Sequence, residues 1–271
     1  MLDWRPVRTI SLVAAAFNEV LNLEALCARV REVMGDDRPW ELILVDDGST
    51  DGSQELIRKL SQKDPRVHGI FFARNCGQTA ALATGIRAAR GDLIATLDAD
   101  LQNDPADLPK LEEMLGNHDA VVGYRQKRRD NLVRRVSTKI ANGVRNRLTG
   151  DTIRDTGCPL KLFRREAIQS IPLFEGLHRF FPTLLRYHGY SVIECPVSHR
   201  PRVAGVSKYG VLNRVFKSLR DLFAVRWMKT RLIRPTIAGT TPRAPLERRA
   251  EERPDPAPDV ADEPPVSEAR L

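Results

Sequence analysis

Five short apolar runs, at 9–16, 41–46, 67–72, 92–97 and 119–123, alternate with amphipathic stretches at 20–34, 53–62, 77–89 and 107–116. The runs are strand-length and nearly continuous in apolar character, as strands covered on both faces are. Each stretch between them is long enough for the crossover that a parallel strand pair requires. In the first, Leu21, Leu23, Leu26, Val30 and Val33 keep close to helical spacing. In the third, Thr79, Ala80, Ala81, Ala83, Ala88 and Ala89 make a small-residue helix that can lie close against a sheet. The alternation predicts an α/β fold with a mostly parallel sheet flanked by helices. Open sheets of this kind bind ligands outside the carboxyl ends of their strands.

Polar residues with metal and nucleotide chemistry stand at those ends. The fourth run closes in Asp98-Ala99-Asp100-Leu101-Gln102, two carboxylates one residue apart and then an amide. Hard cations such as Mg²⁺ or Mn²⁺ take oxygen donors of this type, often one or two carboxylates plus substrate phosphates. By itself the pattern is also that of an Asp-rich turn leading into a helix at Asn103-Asp104-Pro105. The second run ends in Asp46-Asp47-Gly48-Ser49, with Asp51 or Ser53 as cap of the following helix. The first ends in Phe17-Asn18-Glu19. Three such ends on one sheet edge suit a nucleotide: carboxylates for base and ribose, a metal for the pyrophosphate.

The chain carries a net charge of +8, which favours a polyanionic partner. Residues 236–271 hold five Arg against eight acids, so the excess of cations lies in the first 235 residues. From Arg125 to Arg154 ten cations face only Asp130 and Asp151. This run follows the fifth strand end, where it can overhang the acidic site and hold phosphates. A second basic loop, Arg200 to Gly210, contains Arg202, Gly205 and Lys208. Four cysteines, Cys27, Cys76, Cys158 and Cys195, include no C-x-x-C pair, which speaks against a zinc site or a disulfide framework. No stretch of 18 apolar residues marks a membrane span, and Leu12–Phe17 is too short for a signal peptide. The reading is cytoplasmic, with peripheral binding to the inner face of the membrane.

Further along, Phe174–Tyr190 reads as a helix and Ser191–Pro196 as a strand. Leu212, Val215, Phe216, Leu219, Leu222 and Phe223 recur at helical spacing within 211–235, a stretch punctuated by Lys217, Arg220, Arg226, Lys229, Arg231 and Arg234 and carrying Trp227 near its end. That helix is either core or, as favoured, interfacial, with Lys and Arg reaching toward anionic headgroups. On that reading a catalytic domain spans 1–210 and a juxtamembrane amphipathic helix 211–235. Residues 236–271, with seven Pro and few large apolar groups, read as a disordered tail.

In order, Phe17-Asn18-Glu19, Asp46-Asp47-Gly48-Ser49, Arg74-Asn75-Cys76-Gly77, Asp98-Ala99-Asp100-Leu101-Gln102, Gly123-Tyr124-Arg125, Asp155-Thr156-Gly157-Cys158 and Arg202 through Gly210 form an ordered set. The set resembles family 2 glycosyltransferases with the GT-A (Rossmann-like) fold, and most of all their polyprenyl-phosphate (dolichol-phosphate mannosyltransferase-like) branch. The resemblance covers about residues 8–230. It implies nucleotide contacts at Ala15, Glu19, Asp47 and Asp98, and metal ligation at Asp100 and Gln102 with Asp98 beside them. It implies diphosphate contacts at Arg125, Arg202 and Lys208, and a lipid-phosphate site at Arg134 and Arg135. Ala15-Ala16 stands where relatives often carry Pro-Thr.

The implied reaction moves a sugar, with inversion, from a nucleotide-diphosphate sugar (UDP favoured) to a polyprenyl phosphate, with Mg²⁺ or Mn²⁺ as cofactor. Asp98, Asp100, Arg125 and Asp155 are the catalytic candidates, with Asp155 either orienting a substrate or capping the Thr156-Gly157 turn. The implied partners are the nucleotide sugar, the lipid phosphate and an anionic membrane surface; a homo-oligomer or a separate membrane partner would help with anchoring. A family 2 enzyme with another lipid or a glycan acceptor is the alternative. Phe223 occupies the glutamine position of Q-x-x-R-W ahead of Arg226-Trp227, which speaks against polysaccharide synthases. No G-x-G-x-x-G follows the first strand, against a dinucleotide dehydrogenase. A non-catalytic basic adaptor for membrane or nucleic acid leaves the acidic strand ends unexplained, and nucleic acid is not an expected partner. His178, His188 and His199 show no metal spacing and are read as structural or surface residues.

Overall fold

The computed structural model describes residues 8–125, 143, 145–172, 174–200 and 211–233, with backbone alone at 177 and 211–218. Strands β1 (Ile10–Ala16), β2 (Trp40–Asp46), β3 (Val67–Phe71), β4 (Leu93–Asp98) and β5 (Ala120–Arg125) alternate with α1 (Val20–Met34), α2 (Ser53–Lys63), α3 (Gln78–Ala88) and α4 (Leu108–Leu115). These boundaries lie within one or two residues of the sequence pattern. A helical turn α5 at 145–149 precedes β6 (Lys161–Arg164), α6 (Arg165–Ser170), α7 (Phe181–Tyr187), β7 (Val192–Val197) and α8 (Val211–Thr230).

The seven strands run in the order β3-β2-β1-β4-β6-β5-β7. β1 pairs in parallel with both β2 and β4, so the chain turns from one side of β1 to the other between β3 and β4. That reversal opens a crevice beyond the carboxyl ends of β1 and β4, the usual ligand position in such sheets. Only β6 is antiparallel, set between β4 and β5.

Strand residues alternate between two cores. Leu12, Ala14, Leu42, Leu44, Ala95 and Leu97 pack against α1, α2 and α4. Val13, Ile43, Val45, Ile94 and Phe163 pack against α3, α6, α7 and α8. Helix α3 lies close to the sheet because Gly85 has no side chain: a Cβ there would stand 2.4 Å from Val13 Cγ1.

One expectation is corrected. The helix expected over Phe174–Tyr190 is a 3₁₀ turn at Leu177–Phe180 followed by α7. Pro182 lacks an amide and fits only the first helical turn, which fixes the start at Phe181. The first of two compact units runs to Leu232. Leu222 and Val225 of α8 are buried in the second core, while Leu219, Phe223 and Trp227 face outward. Among the described residues no helix is long and apolar enough to cross a membrane.

Candidate active site

The loops after β1 and β2 are laced together. Asn18 N–H donates to Ser49 Oγ at 2.8 Å, and Thr50 N–H returns a bond to Asn18 Oδ1 at 2.8 Å. Glu19 N–H donates to Ser53 Oγ, and Val20 N–H to Asp51 Oδ2, both at 3.1 Å. Asn18 adopts φ 54°, a left-handed conformation that Asn tolerates better than most residues. The Glu19 carboxylate accepts from Asn22 Nδ2 at 2.6 Å.

The paired carboxylates of β2 also serve their own loops. Asp46 Oδ1 accepts from Gly48 N, Ser49 N and Gln54 Nε2, while Asp46 Oδ2 is buried with no hydrogen-bond partner among the described residues. Asp47 Oδ1 and Oδ2 hold the next loop through Cys76 N at 2.6 Å and Gly77 N at 2.9 Å. Burial pushes the Asp47 carboxyl up against the pull of these amides. Gly48, at φ 73°, lets that loop approach: a Cβ there would meet Arg74 C at 2.5 Å.

A cavity of about 450 Å³ opens beside these loops, over the ends of β4, β6 and β5. Asp98, Asp100, Gln102 and Arg125 line it together. Asp98 Oδ1 accepts from Gln78 Nε2, at the start of α3, at 2.8 Å. Asp100 is buried, and its Oδ1 accepts from Gln102 N at 3.2 Å. Leu101 between them has φ 57°, a strained conformation for Leu that the fold must impose. Among the described residues no three Asp, Glu, His or Cys side chains could hold a metal ion between them. A hard cation here would therefore rest on two carboxylates and an amide, with its other positions filled by phosphate oxygens and water. Mg²⁺ and Mn²⁺ accept that mixture, so the donor set fits.

Arg125 is clamped by Asp155 rather than open on all sides. Its Nε donates to Asp155 Oδ2 at 2.7 Å and its Nη2 to Oδ1 at 2.9 Å. Asp155 Oδ1 also accepts from Gly157 N at 3.2 Å. The carboxylate thus caps the Thr156-Gly157 turn and fixes Arg125, which leaves Nη1 as the edge for a ligand. Arg145 of α5 donates to Thr156 Oγ1 at 2.9 Å and to Ile153 O, bracing the same turn.

Two further residues line the cavity. Lys161, the first residue of the buried strand β6, donates to the Cys158 carbonyl. It is 4% exposed, and burial lowers its pKa from the usual lysine value. A lysine inside the apolar run Leu160–Phe163 was the signal available in the sequence. His178, for which a structural or surface role was expected, lines the cavity, and its Nδ1 lies 2.6 Å from Thr79 Oγ1. Burial, with the charges of Arg179 and Lys161, pushes its pKa down to about 3, so the ring is neutral.

Ala15, Glu19 and Asp47 lie at the neighbouring strand ends, outside the cavity lining. Arg134, Arg135, Arg202, Lys208 and the tail 236–271 lie outside the described residues.

The model of the family described as glycosyl transferase family 2 matches residues 11–171. Over 239 residues the chain is 39% identical to the dodecaprenyl-phosphate galacturonate synthase of Rhizobium johnstonii, covering 85% of this chain and 70% of that protein. It is 38% identical over 227 residues to the undecaprenyl-phosphate 4-deoxy-4-formamido-L-arabinose transferase of Salmonella newport, covering 82% and 68%. Among solved structures it is similar to glucosyl-3-phosphoglycerate synthase from Mycobacterium tuberculosis in complex with Mn²⁺, UDP and phosphoglyceric acid. The TM-score is 0.62 at 20% identity, over 82% of this chain and 78% of the other. A mannosyltransferase from Pyrobaculum calidifontis in complex with GDP-mannose and Mn²⁺ gives a TM-score of 0.57 at 18% identity, over 84% and 66%. These two likenesses agree with the GT-A arrangement of the sheet. With its ordered motifs gathered around one crevice and a match across most of its length, the chain belongs to the family 2 glycosyltransferases.

Proposed function

We propose that the chain transfers a sugar from a nucleotide-diphosphate sugar, UDP-linked by preference, to a polyprenyl phosphate, with inversion at the anomeric carbon. One observation carries the reading: Asp98, Asp100, Gln102 and Arg125 converge on one cavity at the sheet reversal, in a chain whose relatives are named for transfer to prenyl phosphates.

The difficulty of such a reaction is charge, since a diphosphate leaves as a phosphate arrives. Asp98, Asp100 and Gln102 would hold a divalent cation, Mg²⁺ or Mn²⁺, whose charge stabilises the leaving diphosphate. The Nη1 edge of Arg125, fixed by Asp155, adds a preorganised donor to that diphosphate. Asp155 acts through Arg125 as a positioning residue. Arg202 and Lys208 are assigned to the diphosphate, and Arg134 and Arg135 to the acceptor phosphate. A phosphate monoester is already ionised near neutral pH, so no protein base need take a proton. Its oxygen bonds to the anomeric carbon as the carbon–oxygen bond to the diphosphate breaks. The loops holding Ala15, Glu19 and Asp47 take the nucleoside. Helix α8 rests its outward residues Leu219, Phe223 and Trp227 on an anionic membrane surface, peripheral on the cytoplasmic side, where the lipid headgroup is met.

The test incubates the full chain with UDP- and GDP-sugars, undecaprenyl phosphate and Mg²⁺ or Mn²⁺, following glycolipid and released nucleotide diphosphate together. Both are expected only when lipid phosphate and metal are present. Nucleotide release indifferent to the lipid, or transfer unaffected by chelator, overturns the reading.

A further inference from the structure

The two relatives above act on different sugars at nearly equal identity, so likeness does not select the donor sugar. The cavity walls do. Crossing the sheet from β2 and β1 to β4 leads from the nucleoside loops to the Asp98-Ala99-Asp100 corner. The next strand is β6, so on the function proposed above, which this inference assumes, the sugar lies over β6. Lys161 faces it there, paired in register with Thr96 of β4 and Val122 of β5. His178 lines the same cavity from the turn before α7.

Both groups present donors. Thr79 Oγ1 accepts from Gly176 N–H at 2.9 Å. The hydroxyl proton then has one acceptor within reach among the described residues, His178 Nδ1 at 2.6 Å. Nδ1 is therefore the acceptor, and a neutral ring carries its proton on Nε2. No other hydrogen bond of the ring is present among the described residues. Lys161 is buried, its hydrogen bond goes to a neutral carbonyl, and no carboxylate stands within ion-pair distance of it among the described residues, with Asp98 and Asp155 acting on it from farther away. Burial favours the uncharged amine, and an anion in contact with Lys161 would favour the ammonium. A sugar hydroxyl set against donors alone would leave its own proton unmatched. A carboxylate accepts only, and supplies that anion.

We propose that Lys161 and the Nε2–H of His178 read a carboxylate on the donor, so that the donor is a nucleotide uronate. Arg179 lines the same cavity and adds to the positive field. Lys161 and His178 are specificity-determining residues, and Thr79 positions His178.

The experiment compares UDP-glucuronate and UDP-galacturonate with UDP-glucose and UDP-galactose, and GDP-mannuronate with GDP-mannose, on undecaprenyl phosphate. A uronate is expected to exceed its neutral partner at least tenfold in kcat/KM. Lys161→Met should bring that ratio close to one through a raised KM for the uronate, and Lys161→Arg should restore part of it. Lys161→Met exchanges a buried charge for an apolar chain of similar volume and is expected to fold; should it not, His178→Phe and Thr79→Val, each lowering the ratio severalfold, decide the matter. Lipid glycosylation with the neutral sugars equal or preferred overturns this inference and leaves the transferase reading standing. A uronate preference that survives Lys161→Met and His178→Phe also overturns it. Transfer of no sugar to the lipid removes the transferase reading and this one with it.

Discussion

Replacing Asp155 by Asn separates positioning from direct catalysis. Asn keeps the volume and the oxygen that accepts from Gly157 N–H, but loses the charge and turns an NH₂ toward the Arg125 fork. The Arg125 and Asp155 side chains are 13% and 15% exposed, between the surface and the full interior. Exposed pairs contribute about 0.2–1 kcal/mol, whereas removing one member of a buried pair costs about 3–5 kcal/mol. The bidentate geometry places this pair nearer the second, at about 2–3 kcal/mol. For a domain of this size that is a fall in Tm of about 4–12 °C. Turnover should drop about ten- to a hundredfold as Arg125 loses its fixed orientation. Thermal melts and steady-state kinetics of Asp155→Asn, Arg125→Gln and the double variant give the coupling, expected to be at least about 1 kcal/mol in stability. A melt unchanged within about 1 °C, or strict additivity, would refute the clamp. A loss above about 10⁴-fold at unchanged Tm would instead make Asp155 a group that touches the reacting atoms.

Asp98→Asn and Asp100→Asn should each lower turnover more than about a hundredfold, the scale of several kcal/mol that a Lewis acid supplies, while melting close to the parent; the rise in Tm that Mn²⁺ with UDP gives the parent should vanish in both. Burial pushes the Cys158 and Cys27 thiols up to about 11 and raises that of Cys195, whereas Cys76 is exposed. An aromatic disulfide reagent at pH 8 should therefore find one fast thiol in the folded protein, lost in Cys76→Ser, and four after unfolding. Phe223→Glu with Trp227→Glu should release the protein from anionic vesicles in a flotation assay with a change in Tm under about 2 °C, because both side chains are about 60% exposed; retained flotation would place the membrane contact elsewhere.

The first 125 residues were legible because their strands are buried on both faces and their helices on one, so burial wrote itself into the hydrophobic pattern. The Asp98 corner was legible for the same reason: two carboxylates at the exit of a fully buried run have few structural uses. What escaped is local competition and distance along the chain. The Asp46 carboxylate binds amides two and three residues on, an alternative always open to Asp in turns and invisible in spacing, while Asp47 binds amides 29 and 30 positions away. β6 is four residues long, too short for periodicity, and its Lys161 sits in a run that otherwise reads as core. His178 meets Thr79 from 99 positions away, a proximity set by topology alone.

The rival readings of α8 were each drawn from half of one helix. At about 100° per residue, Leu222, Val225 and Met228 cluster on one side, and these residues, with Leu232 just past the helix end, pack on the second core. Leu219, Phe223 and Trp227 fall on nearly the opposite side, and all three are exposed. A core helix needs one apolar stripe and solvent tolerates a polar back, so the second stripe is more than packing on the second core requires. The cations divide in the same way. Arg226 Nη1 and Lys229 Nζ donate to Leu148 O and Thr149 O, the last carbonyls of α5, where positive charge suits the helix dipole. Arg220 and Arg231 flank the outward stripe, with Arg231 5.9 Å from the Trp227 ring. An apolar ridge bordered by long cations is the geometry expected of a helix lying at a headgroup boundary. The same α8 backbone is tied to α5, whose Arg145 braces the Thr156-Gly157 turn beside Arg125. On the function proposed above, a membrane surface seated on that ridge would be joined to the cavity through three packed elements, and the outward stripe would help bring a lipid phosphate to the donor.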